Sequence, residues 1–227
     1  MGDRLKDKVA LVTGAGSIGS GWGNGKASAV LYAREGARIL AADLNIDAAE
    51  ETRAIIEEEG GTCTAFQADV SIAAEVAAMV QAGLDAYGRV DVLHNNVGIP
   101  QVGGPEEIAE DEWDQIFAVD VKSMYLTCRD CLPHMVAQGQ GAIVNISSIA
   151  SLRYAGFPSA AYSAAKAAVN QLTQNIAVQY AAKGIRANCV LPGLMHTPQI
   201  ERYLTAGYGG DTEQRIAARN ALVPMGR

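Results

Sequence analysis

The sequence predicts an α/β fold: a doubly wound parallel sheet with helices on both faces, built as a single domain over residues 1–227. Three observations carry that prediction. Six short, β-rich apolar runs recur along the chain, separated by longer stretches with Ala, Leu, Glu and Gln at helical spacing. Glycines crowd the turn after the first run. A length of 227 residues, 49% of them hydrophobic and 19% charged, suits one core rather than two. Parallel strands need long crossovers, and these pack as helices on the sheet faces.

Taken in order, the runs at 9–13, 38–43, 62–67, 90–95, 141–147 and 185–191 read as strands. Segments 26–35, 46–59, 72–87, 112–138 and 162–183 read as helices. In open sheets of this kind ligands bind beyond the carboxyl ends of the strands, so function is expected in the residues that follow each strand. The net charge of -7 opposes nucleic acid or an anionic membrane as partner and leaves small molecules. No apolar run approaches the roughly 20 residues of a membrane helix, and the opening Met-Gly-Asp-Arg-Leu-Lys-Asp-Lys lacks a signal core. A cytoplasmic protein is expected. Cys63, Cys128, Cys131 and Cys189 are too scattered for a disulfide scaffold, and Cys128 and Cys131 form the single C-x-x-C. With His94, His134 and His196 dispersed, no metal site is expected.

Behind the first strand runs Thr13-Gly14-Ala15-Gly16-Ser17-Ile18-Gly19-Ser20-Gly21-Trp22-Gly23-Asn24-Gly25. Glycines let a backbone turn sharply and approach a pyrophosphate closely, while free N–H groups and the positive end of the next helix stabilise its charge. Gly14, Gly16 and Gly19 satisfy G-x-G-x-x-G, and the position between strand and helix marks a nucleotide loop. The second strand ends at Asp43, where a carboxylate meets the ribose hydroxyls of a bound dinucleotide and repels a 2′-phosphate, so NAD is expected over NADP. Capping of the helix that starts near Ile46 is the plainer use for Asp43. Arg38 lies before the strand, poorly placed to rescue NADP binding.

Tyr162-Ser163-Ala164-Ala165-Lys166 puts a phenol and an ammonium at i and i+4 on one helix face. A free phenol has a pKa of about 10, so its use as a base near neutrality needs a fixed cation beside it. Alone, such a pair reads as a surface pair. Here it follows a strand ending Val144-Asn145-Ile146-Ser147-Ser148, whose serine can hydrogen-bond a substrate oxygen as charge develops.

From about Lys8 to Arg227 the chain resembles the short-chain dehydrogenase/reductase family, in its 3-oxoacyl-acyl-carrier-protein-reductase-like, NAD-preferring branch. Thr13-Gly14 and the following glycines, with Ser17 and Ile18, resemble the cofactor loop; Asp43 and Leu44 take the ribose side and Asp69-Val70 the adenine side. Asn95-Asn96-Val97-Gly98 looks like the segment supporting the central sheet, with Asn96, Val97 and Gly98 toward the cofactor. Pro192-Gly193 and Thr197 match the residues at the nicotinamide end. The resemblance implies a Rossmann-like fold, Tyr162 as general acid/base, Ser148 orienting the substrate oxygen, and Lys166 contacting the nicotinamide ribose and favouring tyrosinate. Ser147 competes with Ser148, but an alternating strand points the two to opposite sides.

Three departures stand out. The family pattern Thr-Gly-x-x-x-Gly-x-Gly is best fitted by Gly23-Asn24-Gly25, with five extra residues in between, which either wrap over the pyrophosphate or bulge into solvent. Asp120 sits on the apolar stripe of Trp113, Ile116, Phe117 and Met124, where the family carries a catalytic asparagine. It is expected to act on the Lys166 relay, partly cancelling the cation and raising the pH at which activity appears, or else to be a structural carboxylate. Finally, the sequence stops at Val223-Pro224-Met225-Gly226-Arg227, where relatives continue, so a further tail of roughly one helix and one strand is expected.

Substrate choice is expected to rest on residues 149–157 and 194–219, with Tyr154, Phe157, Tyr203, Leu204 and Tyr208 as apolar walls and Gly207, Gly209 and Gly210 in a flap. Arg153 and Arg202 read as solvated. The resemblance implies a homotetramer or homodimer built through helices 112–138 and 162–183. A 3-oxoacyl thioester reductase using NADPH and a catalytically silent nucleotide-binding scaffold are the alternatives; Asp43 speaks against the first, and retention of Ser148, Tyr162 and Lys166 against the second.

Overall fold

The computed structural model describes residues 2–199 and 211–226. Strands β1 (Val9–Thr13), β2 (Arg38–Asp43), β3 (Thr62–Gln67), β4 (Val92–Asn95), β5 (Gly141–Ile146) and β6 (Ile185–Val190) form one sheet in the order β3-β2-β1-β4-β5-β6. Every pairing is parallel. Helices α1 (Asn24–Arg34), α2 (Ile46–Glu58) and α3 (Ala73–Tyr87) lie between the first four strands. They are followed by α4 (Glu110–Phe117), α5 (Ser123–Gln138), α6 (Ala160–Tyr180) and α7 (Thr212–Ala221). The predicted doubly wound sheet is therefore observed, with strand ends shifted by one or two residues.

Alternation along each strand feeds two cores. Leu11, Leu40, Leu93 and Ile143 point to the face covered by Val76 and Met79 of α3, Leu126 of α5 and Ile176 of α6. Ala10, Val12, Ile39 and Ala41 point to the other face, covered by Ala29, Val30 and Ala33 of α1 and Ile56 of α2. Strands buried on both sides are why these runs are apolar throughout rather than alternating. No described helix is long and apolar enough to cross a membrane.

The predicted helix over 112–138 is unbroken but not α-helical throughout. A π-helical turn, Ala118–Lys122, separates α4 from α5, and Asp120 lies inside it, fully buried. The wider turn adds a residue to the helical register and re-aims the carboxylate, a device a 3.6-residue period cannot reveal. Below it a ladder of buried side chains ties the sheet to its helices. Thr127 donates to Asn95 Oδ1 (2.8 Å), Asn95 Nδ2 donates to Asn145 Oδ1 (2.8 Å), and Asn145 Nδ2 donates to Thr173 Oγ1 (2.8 Å). The ladder fixes β4 and β5 against α5 and α6. The start of α6 is set separately: Gly103 N donates to Pro158 O at 3.0 Å and Ala160 N to Gly103 O at 3.1 Å.

Candidate active site

A cleft of about 680 Å³ opens beyond the carboxyl ends of the strands, where the strand order reverses between β1 and β4. Its first end gathers Gly14, Gly16, Ser17, Ile18, Asp43 and Leu44, with Asp69 and Val70 behind β3. Its middle is formed by Asn96, Val97 and Gly98, and its far end by Ser148, Tyr162, Lys166, Pro192, Gly193 and Thr197. Asp120 does not line the cleft and reaches the site through Lys166; Gly19 of the glycine loop and the expected apolar walls Tyr154 and Phe157 do not line it either, Tyr154 being exposed.

The first end is built from backbone. Gly14 has a left-handed φ of 62°, which turns the chain off β1. Its carbonyl accepts from Asn96 Nδ2 at 3.1 Å, and the Ala15 carbonyl accepts from Thr52 of α2 at 2.8 Å. A Cβ on Gly25 would overlap the Gly14 carbonyl and come within 2.6 Å of Asn96 Nδ2. Gly25, not Gly19, thus supplies the close approach of helix to loop that the third fingerprint glycine provides. Asn96 and Thr52 as clamps of this loop were not singled out in the sequence reading.

Asp43 does not cap α2; Asn45 does, accepting from Asp47 N at 3.1 Å. The Asp43 carboxylate instead accepts from Gly16 N at 2.9 Å and Asn45 N at 3.0 Å, which holds it at the cleft rim with lone pairs to spare. Arg38 stacks over Tyr87 and stays away from this rim. The Asp69 carboxylate accepts from both N and Oγ of Ser71, forming an Asx turn. The start of α1, capped by Gly23 without a side-chain bond, leaves its first N–H groups toward the cleft. Free amides, a glycine floor and a rim carboxylate fit a dinucleotide.

The far end is built from side chains. Lys166 is buried, and its Nζ donates to Ile146 O at 3.1 Å and lies 5.6 Å from the centre of the Tyr162 ring. Asp120 Oδ1 accepts from Ile99 N at 2.8 Å, and Oδ2 sits 3.0 Å from Lys166 Nζ, an approach of opposite charges without hydrogen-bond alignment. Burial pushes the Asp120 carboxyl above the ordinary range, opposed by the lysine and the Ile99 amide. A Cβ on Gly98 would lie 2.7 Å from Nζ and 3.0 Å from Oδ2, so only glycine leaves room for the pair.

The two serines part company. Ser147 is buried with its hydroxyl donating to Lys166 O at 2.9 Å, which ties β5 to α6. Ser148 lines the cleft and accepts from Ala150 N at 3.2 Å, so its hydroxyl proton remains for another partner. Elsewhere, burial lowers His94 on β4 to about 4, with Tyr32 hydroxyl 2.9 Å from Nδ1. Burial also pushes the Cys128 thiol up to about 12 and Cys131 up further, so the C-x-x-C holds inert thiols. Among the described residues, no group of three His, Cys, Asp or Glu side chains sits together as a metal site would require. Tyr203, Leu204, Tyr208, Arg202 and the glycines at 207, 209 and 210 lie outside the described residues.

This arrangement has close counterparts. The model of the short chain dehydrogenase family matches residues 8–206. The 2-(R)-hydroxypropyl-CoM dehydrogenase of Xanthobacter autotrophicus is 41% identical, covering 86% of this chain and 77% of the relative. The 3beta-hydroxysteroid dehydrogenase of Mediterraneibacter gnavus is also 41% identical, over 88% of this chain and 70% of the relative. A solved short-chain dehydrogenase/reductase from Burkholderia xenovorans superposes with a TM-score of 0.94 at 42% identity, covering 98% of this chain and 84% of the other. Levodione reductase superposes with a TM-score of 0.92 at 32% identity, covering 99% and 86%. With a family model over residues 8–206 and relatives of this likeness, the chain belongs to the short-chain dehydrogenase family, oxidoreductases of alcohol and ketone substrates that bind a nicotinamide cofactor.

Proposed function

We propose that the chain is an NAD(H)-dependent dehydrogenase or ketoreductase of a secondary alcohol/ketone pair, with Tyr162 as its general acid/base. The observation that carries this reading is the convergence of Ser148, Tyr162 and Lys166 at one end of a cleft whose other end presents Asp43. In the oxidising direction Tyr162, as tyrosinate, takes the substrate hydroxyl proton and becomes the phenol, and in the reducing direction the phenol gives that proton to the carbonyl oxygen. Ser148 donates a hydrogen bond to the same oxygen. Lys166, held by Ile146 O, keeps a positive charge beside the phenol and favours tyrosinate. Nicotinamide, when bound, supplies or accepts the hydride.

Asp120 is a positioning residue in this scheme. Its carboxylate fixes Lys166 and offsets part of its charge, so activity develops at a higher pH than with a neutral group there. Preference for NAD rests on two features: Asp43 at the rim, and Lys166 being the only Lys or Arg among the described residues that line the cleft. A 2′-phosphate meets repulsion there and no counter-charge. A groove between α5 and α6, bordered by Tyr125, Leu132, Leu172 and Ile176, supports assembly of copies into a homodimer or homotetramer. A cytoplasmic location agrees with four free cysteines.

The test is turnover of secondary alcohols, sugars, steroids and 3-hydroxyacyl esters with NAD and with NADP. At least about tenfold higher kcat/KM with NAD is expected, a difference of about 1.4 kcal/mol. A preference for NADPH with 3-oxoacyl thioesters overturns the reading in favour of the thioester reductase, and no turnover at all with dinucleotide bound favours the silent scaffold.

A further inference from the structure

Residues 18–22 of the enlarged glycine loop are exposed, but their excursion is anchored. Its excursion closes on itself at the base: a Cβ on Gly23 would lie 3.3 Å from Gly16 O and 3.7 Å from Ser17 Cα, so the chain leaves and re-enters at one point. Near that base the Trp22 ring lies against Lys26, with Nζ 5.5 Å from the ring centre. Lys26 is buried and pairs with Glu51 of α2 at 2.6 Å, a fixed post for the tryptophan. At the crown the loop reaches the segment after β6. A Cβ added at Gly19 would lie 3.5 Å from Pro198 Cβ, and one at Gly21 3.6 Å from Pro198 Cγ, so the loop backbone passes close to Pro198 with room for about a methyl group between them.

The residues flanking that approach line the cleft. Ser17 and Ile18 line it at the root of the loop, and Thr197 and Gln199 line it on either side of Pro198. Gln199 Nε2 donates to Gly98 O at 2.9 Å, which anchors the Pro198 segment to the middle of the cleft. The loop therefore spans from the phosphate-binding turn to the end of the sheet where Tyr162 lies. Building on the reading of this cleft as a dinucleotide site, we propose that residues 18–22 form a strap across the bound cofactor, latched by Trp22 on Lys26 and by Pro198, which sets how fast NAD(H) leaves. The lever is geometric: Ile18 lines the cleft on one side and Thr197 and Gln199 on the other, and the approach of Gly19 and Gly21 to Pro198 joins the two, so a strap that closes there has to open for a ligand lying from Asp43 to Lys166 to leave. Where cofactor release limits turnover, cutting the strap raises kcat and the cofactor KM together.

The experiment is the NADH dissociation rate, measured by stopped-flow displacement of protein-bound NADH fluorescence with excess NAD. Three variants are compared with the wild-type chain: deletion of residues 18–22 to join Ser17 to Gly23, Trp22→Ala, and Pro198→Gly. Release about tenfold faster is expected for the deletion and about threefold for each single substitution, since each removes one latch. The two substitutions keep the test sound if the deletion fails to fold. NADH that binds every variant and leaves at the wild-type rate overturns the strap alone. A wild-type chain that binds no NADH overturns the dinucleotide reading and the strap with it.

Discussion

The two ends of the cleft are made of different material. Around Gly14, Gly16 and Gly25 the backbone itself forms the surface, and side chains such as Asn96, Thr52 and Asp43 serve by holding carbonyls and amides in place. Around Lys166 side chains form the surface, held by the Ile146 carbonyl, the Asn95–Asn145 ladder, Ser147 and Asp120. The first end tolerates no added atom; the second tolerates no lost partner. Steric overlap and an orphaned buried polar group are separate penalties, so mutations at the two ends should fail in separate ways.

Gly25→Ala should be the most damaging change at the backbone end. Its methyl group overlaps the Gly14 carbonyl, and helix α1 must move off the loop to accept it. A loss of about 3 kcal/mol of stability together with loss of dinucleotide binding is expected; urea unfolding and NADH titration check both. At the seam between the ends, His94 gives a pH signature of similar size. Its folded pKa is about 4 because it is buried. Below the ordinary value of about 6.5 the unfolded chain takes up a proton that the folded chain refuses, so stability falls as pH drops from about 6.5 to 4 and levels off beneath that, by about 3 kcal/mol in all. Unfolding free energies at several pH values, with His94→Gln as the flattened control, measure it.

At the side-chain end the effects are smaller in stability and sharper in rate. Asn145→Ala strips partners from Asn95 and Thr173 in the buried ladder, and a cost of about 2 kcal/mol is expected, with kcat falling more than the dinucleotide Kd rises. Asp120→Asn removes the charge facing Lys166 while keeping the size. The rise of kcat with pH should then move to lower pH by about one unit, equivalent to about 1.4 kcal/mol; an unchanged profile leaves Asp120 a structural carboxylate.

The same division explains what the sequence made legible. The six strands and the helices between them, the glycine turn and the i, i+4 spacing of Tyr162 and Lys166 follow from periodicity and local pattern, and the structure reproduces them. The π-turn under Asp120 escaped because a helix with one extra residue still looks helical in sequence. Asn145, Thr127 and Thr173 escaped because their partners lie far along the chain; an asparagine in the middle of the apolar run 141–147 was the available signal. Gly19 fits G-x-G-x-x-G by spacing, but the fit of Gly23-Asn24-Gly25 to the family pattern is the one that the close approach of Gly25 to the Gly14 carbonyl agrees with; the closing of the loop at Gly16 and Gly23 was not legible. Contacts across the sheet, and a loop that closes on itself, leave no period to read.

The most direct test of the account replaces Tyr162 by Phe, which keeps the ring beside Lys166 and removes only the hydroxyl. The account predicts kcat lower by about 10²- to 10⁴-fold with NADH affinity within about threefold of wild type. Turnover retained by Tyr162→Phe with NADH still bound would contradict it.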